Sequence, residues 1–360
     1  MFRGVARVTG FINSLYLAVG PIARLFTRQM HATIQARSFW DCSFSLSRPL
    51  QEELRFWFAN IEAFNGYGIQ PKFTPGAVVF CDASDYAFGG YQIRLNDQPV
   101  SGMFSHFESQ QSSTFRELKA IFYVIKAHIA SLRHKKVKVF TDNENASRIV
   151  SLGSPKQPLQ CLAIDIFQLC LVNDIQIDAQ WIPRDANVRA DVLSRFVDKD
   201  DWSLNCEIFA LLDCRWGPHS VDRFASHYNA QLSRFNSRFL SPGCCAVDGL
   251  SQDWHGENNW LCPPVSIIVD VIRHARACCA VGTLIVPEWP SAFFWPLLKP
   301  HPSGFASFVV DVVRLPRRSD MIIPGPGQKI FYRSKPSVFF GCPKFGMLAL
   351  RIDFRLASRA

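Results

Sequence analysis

The sequence predicts an α/β protein built around a mixed sheet with flanking helices. Three observations predict it. Short apolar runs of strand length alternate with helix-length periodic segments between Gly76 and Phe196. The first strand-like runs follow one another without a helix, as an antiparallel meander does. The full order reads βββαβαβα, and strands separated by helices pair in parallel.

Each element follows from its own residues. Ala77-Val-Val-Phe-Cys81 is a buried strand that ends on Asp82. Gly89-Gly90 reads as a turn, with a second strand near Tyr91–Leu95 and a third near Val100–Phe107. A helix is expected from Ser113 to Arg133, because Leu118, Ile121, Phe122, Ile125, Ile129 and Leu132 recur at helical spacing. Thr114-Phe-Arg-Glu117 has the spacing of a capping box. Lys136–Thr141 is a strand ending on Asp142, and Ala163–Leu171 is a helix. Ile175–Ile182 alternates as a strand does, and Asp191 opens a short helix.

The flanks have other textures. The 360 residues suggest two or three domains, and 48% hydrophobic against 19% charged residues suits a chain that folds around cores. Residues 1–75 read as helical, with Leu15, Leu17, Val19, Ile22 and Leu25 in one segment and a second helix starting near Ser47. Val8–Phe26 is apolar, but Gly20, Pro21 and Arg24 interrupt it, so buried helices are expected rather than a membrane span. Residues 198–300 are rich in Trp and Phe. Residues 301–360 hold ten Lys and Arg against three Asp. The net charge of +9 favours a polyanionic partner. The twelve cysteines include no C-x-x-C, which argues against a zinc cluster. Nothing suggests secretion, so an intracellular protein with reduced thiols is expected.

Four acids stand out by their frames. Asp82 and Asp142 end strands; Glu117 and Asp191 open helices. In a parallel α/β sheet these positions meet along one edge. Clustered carboxylates repel one another, and hard divalent cations remove that cost. Such ions also activate water and stabilise a departing oxygen in phosphodiester hydrolysis. Any one of the acids has a plainer reading as a turn former or helix cap.

At Phe80-Cys-Asp-Ala-Ser84, Phe115-Arg-Glu-Leu118, Phe140-Thr-Asp-Asn143 and Asn187-Val-Arg-Ala-Asp-Val-Leu-Ser-Arg195 the chain resembles the ribonuclease H domains of retroelement reverse transcriptases. The resemblance implies a ribonuclease H-like mixed sheet over 76–197 that cuts the RNA strand of an RNA–DNA hybrid. It implies two Mg²⁺ ions, with Mn²⁺ as a substitute, on catalytic Asp82, Glu117, Asp142 and Asp191. Asp82 would bridge the ions and Glu117 would help place the water. Ser84, Asn143 and Arg184 become candidates for substrate binding. Cellular enzymes carry a mobile His before the last Asp; here Pro183-Arg-Asp-Ala-Asn187 has none.

Thr27-Arg28, Leu54-Arg-Phe-Trp57 and Asn65-Gly66 look like the thumb and connection of a DIRS-type retrotransposon reverse transcriptase, giving residues 1–75 that role. No Y-x-D-D-like motif is present, so the missing palm and fingers are an expected partner, beside the hybrid itself. Val221-Asp-Arg-Phe-Ala-Ser226, Asp253-Trp254 and Asn259-Trp-Leu-Cys-Pro-Pro-Val265 resemble the methyltransferase-like domain of the same elements. That implies a Rossmann-like α/β domain over 198–300, extended by 301–360, with Asp222 near S-adenosylmethionine. Family enzymes place Asp or Asn before Pro-Pro and an aromatic after it, whereas Cys262 and Val265 stand here. A thiol accepts hydrogen bonds weakly and Val cannot stack on a flipped base, so cofactor binding and methyl transfer are not expected. The rival readings are a catalytically inactive nucleic-acid-binding remnant and an adenine methyltransferase with an altered C-P-P-V loop.

Overall fold

The computed structural model describes residues 2–66, 74–302, 304–327, 339 and 343–356. Part of the expected extension over 301–360 therefore lies outside the described residues. Contacts gather the chain into two compact units, Met1–Asp97 with Gln110–Ser194, and Gln98–Ser109 with Arg195–Ala360.

The first unit opens with helices α1 (Phe2–Ser14), α2 (Tyr16–Val19), α3 (Ile22–Leu25), α4 (Arg28–Gln35) and α5 (Arg48–Asn60). The apolar stretch over Val8–Phe26 is cut at Leu15 and at Gly20-Pro21, where Gly20 takes φ 75° and leaves the helical region. Ile12, Val19, Ile22, Leu25 and Phe26 form a core with Leu50 and Trp57 of α5. Trp57 Nε1 donates to Phe26 O at 2.8 Å, which satisfies the indole inside that core. Among the described residues no helix is long and apolar enough to cross a membrane.

The strands β1 (Ala77–Ala83) and β2 (Ala87–Gln92) follow, and the chain enters the second unit with β3 (Val100–Met103) and α6 (His106–Ser109). It returns as α7 (Ser113–Ala127), α8 (Ile129–Leu132), β4 (Lys136–Thr141), α9 (Glu144–Leu152), α10 (Gln157–Val172), β5 (Gln176–Trp181) and α11 (Val188–Ser194). β2 pairs antiparallel with β1, and β1, β4 and β5 pair in parallel. Val79, Cys81, Val137 and Val139 are fully buried on alternate strand positions, and Leu118, Ile121, Val124 and Ile125 of α7 are equally buried. Ala163 of α10 belongs to the core of the N-terminal helices, so those helices and the sheet-bearing part share one unit.

Three local expectations change. Gly89-Gly90 is not a turn but lies inside β2, and the chain turns earlier at Ser84–Tyr86. A Cβ on Gly89 would meet Ser194 N at 2.4 Å, and one on Gly90 would meet Phe80 O at 2.5 Å. The two glycines thus serve close approach rather than reversal. The helix expected to reach Arg133 ends at Ala127, because His128 adopts φ −87°, ψ 9° with its ring buried. The helix start is capped by Ser112, whose side chain accepts from Phe115 N at 3.3 Å. Glu117 is therefore not a capping-box partner, and its carboxylate is available elsewhere.

In the second unit β6 (Trp202–Leu204) and α12 (Cys206–Trp216) precede β7 (Val221–Asp222), β8 (Asn236–Ser237) and β9 (Ala246–Val247). Then come β10 (Asn258–Leu261), α13 (Ile268–Ala277), β11 (Val281–Pro287), α14 (Trp295–Leu298), β12 (Val309–Arg314), β13 (Ile322–Pro324) and β14 (Met347–Asp353). Five strands form a mixed sheet in the order β12-β14-β11-β10-β7, parallel from β7 to β11 and antiparallel at β14. Leu284 and Val286 of β11 face a core with Ile268, Val271 and Ile272 of α13. Ile285, one residue between them, faces Ile208 and Leu212 of α12. A strand buried on both faces is central, and helices cover both sides of this sheet.

Candidate metal centre

The strand register brings the first acids together. Phe80 of β1 lies beside Phe140 of β4, so continuing both strands by two residues sets Asp82 beside Asp142. α7 packs on β1 and β2 and carries Glu117 on the buried face that also holds Leu118 and Ile121. The ligand oxygens of Asp82, Glu117 and Asp142 all lie within 4.8 Å of one another. Among the described residues this is the one group of three or more His, Cys, Asp or Glu that converges so closely.

Asp191 stands outside that group. It lies in the first turn of α11, which packs against β1 and β2, and its Oδ1 accepts from Arg184 Nη2 at 2.7 Å. Its charge nevertheless reaches Asp82 and helps to raise that carboxyl. Three of the four acids picked out in the sequence thus converge, with the fourth on the neighbouring helix.

The electrostatics are those of a site short of positive charge. Burial, with the Asp82 and Asp142 charges, pushes the Glu117 carboxyl up to about 9. Burial also pushes Asp82 up to about 6, opposed by the Ser194 hydroxyl and reinforced by Asp142 and Asp191. Asp82 is 4% and Glu117 6% exposed. Among the described residues the one side-chain donor to Glu117 is Thr141 Oγ1 at 3.4 Å, a long contact. Every ligand offered is a carboxylate oxygen, the donor type that suits a hard divalent cation.

Two supporting residues were not singled out in the sequence. Ser194 Oγ donates to Asp82 Oδ2 at 2.5 Å and is fully buried. It sits three residues after Asp191, hence on the same helix face, which is the signal that identifies it. Asn187 is also fully buried; its Nδ2 donates to Cys81 O at 3.0 Å, and its carbonyl accepts from Asp191 N at 3.0 Å. It ties the start of α11 to the strand that carries Asp82.

The three candidates for substrate binding all have local partners. Ser84 Oγ donates to Ser194 O at 2.6 Å and accepts from Ala87 N at 3.0 Å, closing the β1–β2 turn. Asn143 Oδ1 accepts from Ala146 N at 2.9 Å and caps α9. Arg184 is exposed and holds Asp191. In the second unit Asp222 ends β7 and is 2% exposed. Its carboxylate accepts from Gln231 N at 3.1 Å and Phe224 N at 3.4 Å.

Comparison with known proteins agrees with the geometry of the first unit. Residues 72–166 match the model of the RNase H-like domain found in reverse transcriptase. A search of curated proteins finds no match. Among solved structures, RNase H1 from the halophilic archaeon Halobacterium salinarum NRC-1 is 15% identical over 32% of this chain and 92% of its own, with a TM-score of 0.26. The N-terminal RNase H domain of a Mycobacterium tuberculosis protein is 17% identical over 32% of this chain and 94% of its own, with a TM-score of 0.26. Prototype foamy virus protease–reverse transcriptase is 14% identical over 36% of this chain and 22% of its own, with a TM-score of 0.25. The α/β fold of this part of the chain is RNase H-like, of the kind found in reverse transcriptase.

Proposed function

We propose that the chain is a retroelement ribonuclease H, an endonuclease that hydrolyses the RNA strand of RNA–DNA hybrids with two divalent ions. The observation that carries this reading is the convergence of Asp82, Glu117 and Asp142 within 4.8 Å inside an RNase H-like fold. Their donor set fits Mg²⁺ or Mn²⁺, because all the oxygens are hard and the Arg184 charge offsets the burial and crowding of the acids only in small part. Bound there, the ions supply an activated water and stabilise the departing 3′ oxygen.

The chain's own residues prepare that chemistry. Asp82, Glu117 and Asp142 would hold the ions, with Asp82 as the ligand they would share, and the Ser194 hydroxyl fixes Asp82 Oδ2. Glu117 on α7 orients the attacking water. Asp191 completes the set from α11, where Asn187 holds the helix start and Arg184 partners the carboxylate until a phosphate competes for the guanidinium. Recognition rests on A-form shape and the 2′-hydroxyl rather than on base sequence.

The same reading extends to the flanks as proposals. The N-terminal helices are a thumb and connection of DIRS type that works with a palm and fingers region. The second unit is a Rossmann-like, methyltransferase-type domain that has lost catalysis. The parallel neighbours β7 and β10, ending at Asp222 and leading into Cys262-Pro-Pro, support that placement. Calorimetry with S-adenosylmethionine is expected to show no binding.

The central test is incubation with a labelled RNA–DNA hybrid, with Mg²⁺ or with EDTA, beside Asp142→Asn. Cutting of the RNA strand alone, dependent on metal and lost in the variant, is expected. A folded, hybrid-binding chain that cuts under neither condition would make it an inactive remnant instead.

A further inference from the structure

The N-terminal helices hold a basic groove that the metal centre does not use. It has a volume of about 370 Å³ and is lined by Asn13, Tyr16, Arg24, Thr27, Arg28 and His31. None of these is acidic. Arg24 is exposed, and its guanidinium lies 4.7 Å from the centre of the Tyr16 ring, which fixes it without neutralising it. Among the described residues no carboxylate pairs with Arg24. The acid whose charge acts on Arg28 is Glu53, and its two oxygens accept from Gln29 N at 2.8 Å and Met30 N at 3.0 Å, capping α4. Burial first, and then the Arg24 charge, lower the Arg28 guanidinium, and Glu53 opposes them less. Asn13 Nδ2 and His31 Nε2 lie 3.3 Å apart on the same wall. Two cations therefore line a groove that contains no acid of its own.

The groove is also anchored. Arg28 Nε donates to Leu152 O at 2.7 Å, its Nη2 bonds the same carbonyl, and Nη2 reaches Gly153 O at 3.4 Å. Those carbonyls end α9. The other end of α9 is capped by Asn143, the residue after Asp142. Nine helical residues at about 1.5 Å each make a strut of about 13 Å between the metal centre and the groove. At about 3.4 Å of duplex axis per nucleotide of one strand, and allowing for the reach of an arginine, that is roughly four to six nucleotides.

We propose that the Arg24–Arg28 groove binds a backbone phosphate of the hybrid, roughly four to six nucleotides from the scissile bond, with α9 setting the spacing. That a hybrid runs past the groove rests on the ribonuclease reading; the phosphate contact itself does not require cutting. An arginine pair suits a phosphate better than isolated lysines, because the planar guanidinium can contact two oxygens at once.

The test measures binding of a labelled hybrid to the full chain in EDTA, where no cutting occurs, over a range of salt. Arg24→Glu is compared with Arg55→Glu, an equal charge change at an exposed position of α5. Arg24→Glu is expected to weaken binding about 5- to 10-fold and to lower the salt slope by about one, while Arg55→Glu stays within about twofold. Neutral methylphosphonates placed one at a time along the strands should weaken wild-type binding in one narrow window of positions and should leave Arg24→Glu unaffected; where the chain cuts in Mg²⁺, that window should lie roughly four to six nucleotides from the cut. Equal effects of the two variants, or no such window, would overturn the proposal, as would a wild-type chain that does not bind the hybrid. Tight binding of inorganic phosphate, with hybrid binding unchanged in Arg24→Glu, would make the groove a small-anion site and also overturn it. A wild type that binds but never cuts, with the Arg24→Glu loss intact, would leave the groove standing and remove the ribonuclease reading.

Discussion

Each compact unit buries a group of acids, and the two groups are satisfied in opposite ways. In the first, Asp82 and Glu117 face Asp142, with one serine and one distant threonine as side-chain donors. In the second, Asp201 accepts from Tyr228 Oη and from Asn229 Nδ2 at 3.0 Å, and Asp222 accepts from two backbone N–H groups. Burial raises the acids of both groups: Glu117 to about 9 and Asp82 to about 6, Asp201 and Asp222 to about 7. The raised protonation alone does not separate them. The partners do: the second group is closed by protein donors, whereas the first turns its carboxylates toward one another. An acid cluster left short of donors calls for a cation; one supplied with donors is architecture.

The largest expected effect breaks the comparison chemically. Glu117→Gln should lower RNA cutting on the order of 10³-fold, the range seen when one electrostatic group is removed from an active site. The same change should stabilise the metal-free chain by about 1–2 kcal/mol, because it removes a carboxyl that burial disfavours. Asp222→Asn should do the reverse: cutting within about twofold of wild type, and a stability loss of about 1–3 kcal/mol, because the amide has one acceptor oxygen for the two backbone donors that the two carboxylate oxygens serve. Cleavage assays and urea unfolding on both variants decide it, and parallel behaviour of the two would erase the distinction.

Metal should sharpen it next. Mg²⁺ at about a hundred times its dissociation constant adds about 2.7 kcal/mol to the unit that binds it. Hydrogen exchange should therefore slow around β1, β4 and α7 and stay unchanged around β7 and β10. Protection spreading equally over both would count against a metal site at Asp82.

The second group should show itself through pH. Asp201 and Asp222 hold protons in the folded chain up to about 7, whereas in the unfolded chain they release them near 4. Between those values the native state binds more protons than the unfolded state, so stability falls as pH rises. The contribution is full below about 4 and lost above about 7. Tyr228→Phe removes a donor to ionised Asp201 and should cost about 1–2 kcal/mol, more at pH 8 than at pH 5. A loss independent of pH would mean that the phenol does not address that carboxylate.

The smallest effect concerns Ser194. Ser194→Ala leaves Asp82 without its hydroxyl donor and should weaken divalent binding about tenfold, near 1.4 kcal/mol, with the fold intact. Titrating activity with Mg²⁺ reads it. An unchanged midpoint would place Ser194 in packing alone.

Much of the first unit was legible because its signals are local. The strand-ending acids Asp82 and Asp142 follow runs whose alternation or apolarity marks strands, and the face of α7 is written in Leu118, Ile121 and Ile125. The capping of α7 was misplaced by two residues, since Ser112 and Thr114 are both suitable caps and only the backbone chooses between them. Gly89-Gly90 read as a turn because glycine has two uses, freedom at positive φ and room for a close neighbour. Only the approach of α11 and of the Phe80 carbonyl selected the second.

The sequence by itself determined the residue types, their strand or helix frames and the chemistry that four carboxylates permit, because these depend on neighbours a few positions away. Tertiary structure alone decided that Asp82, Glu117 and Asp142 converge while Asp191 pairs with Arg184. It alone set Ser194 against Asp82 across 112 positions of chain and tied Arg28 to the end of α9 across 124. Contacts at such separations have no periodic signature; they exist only once sheet register and helix packing have been fixed by the burial of the core.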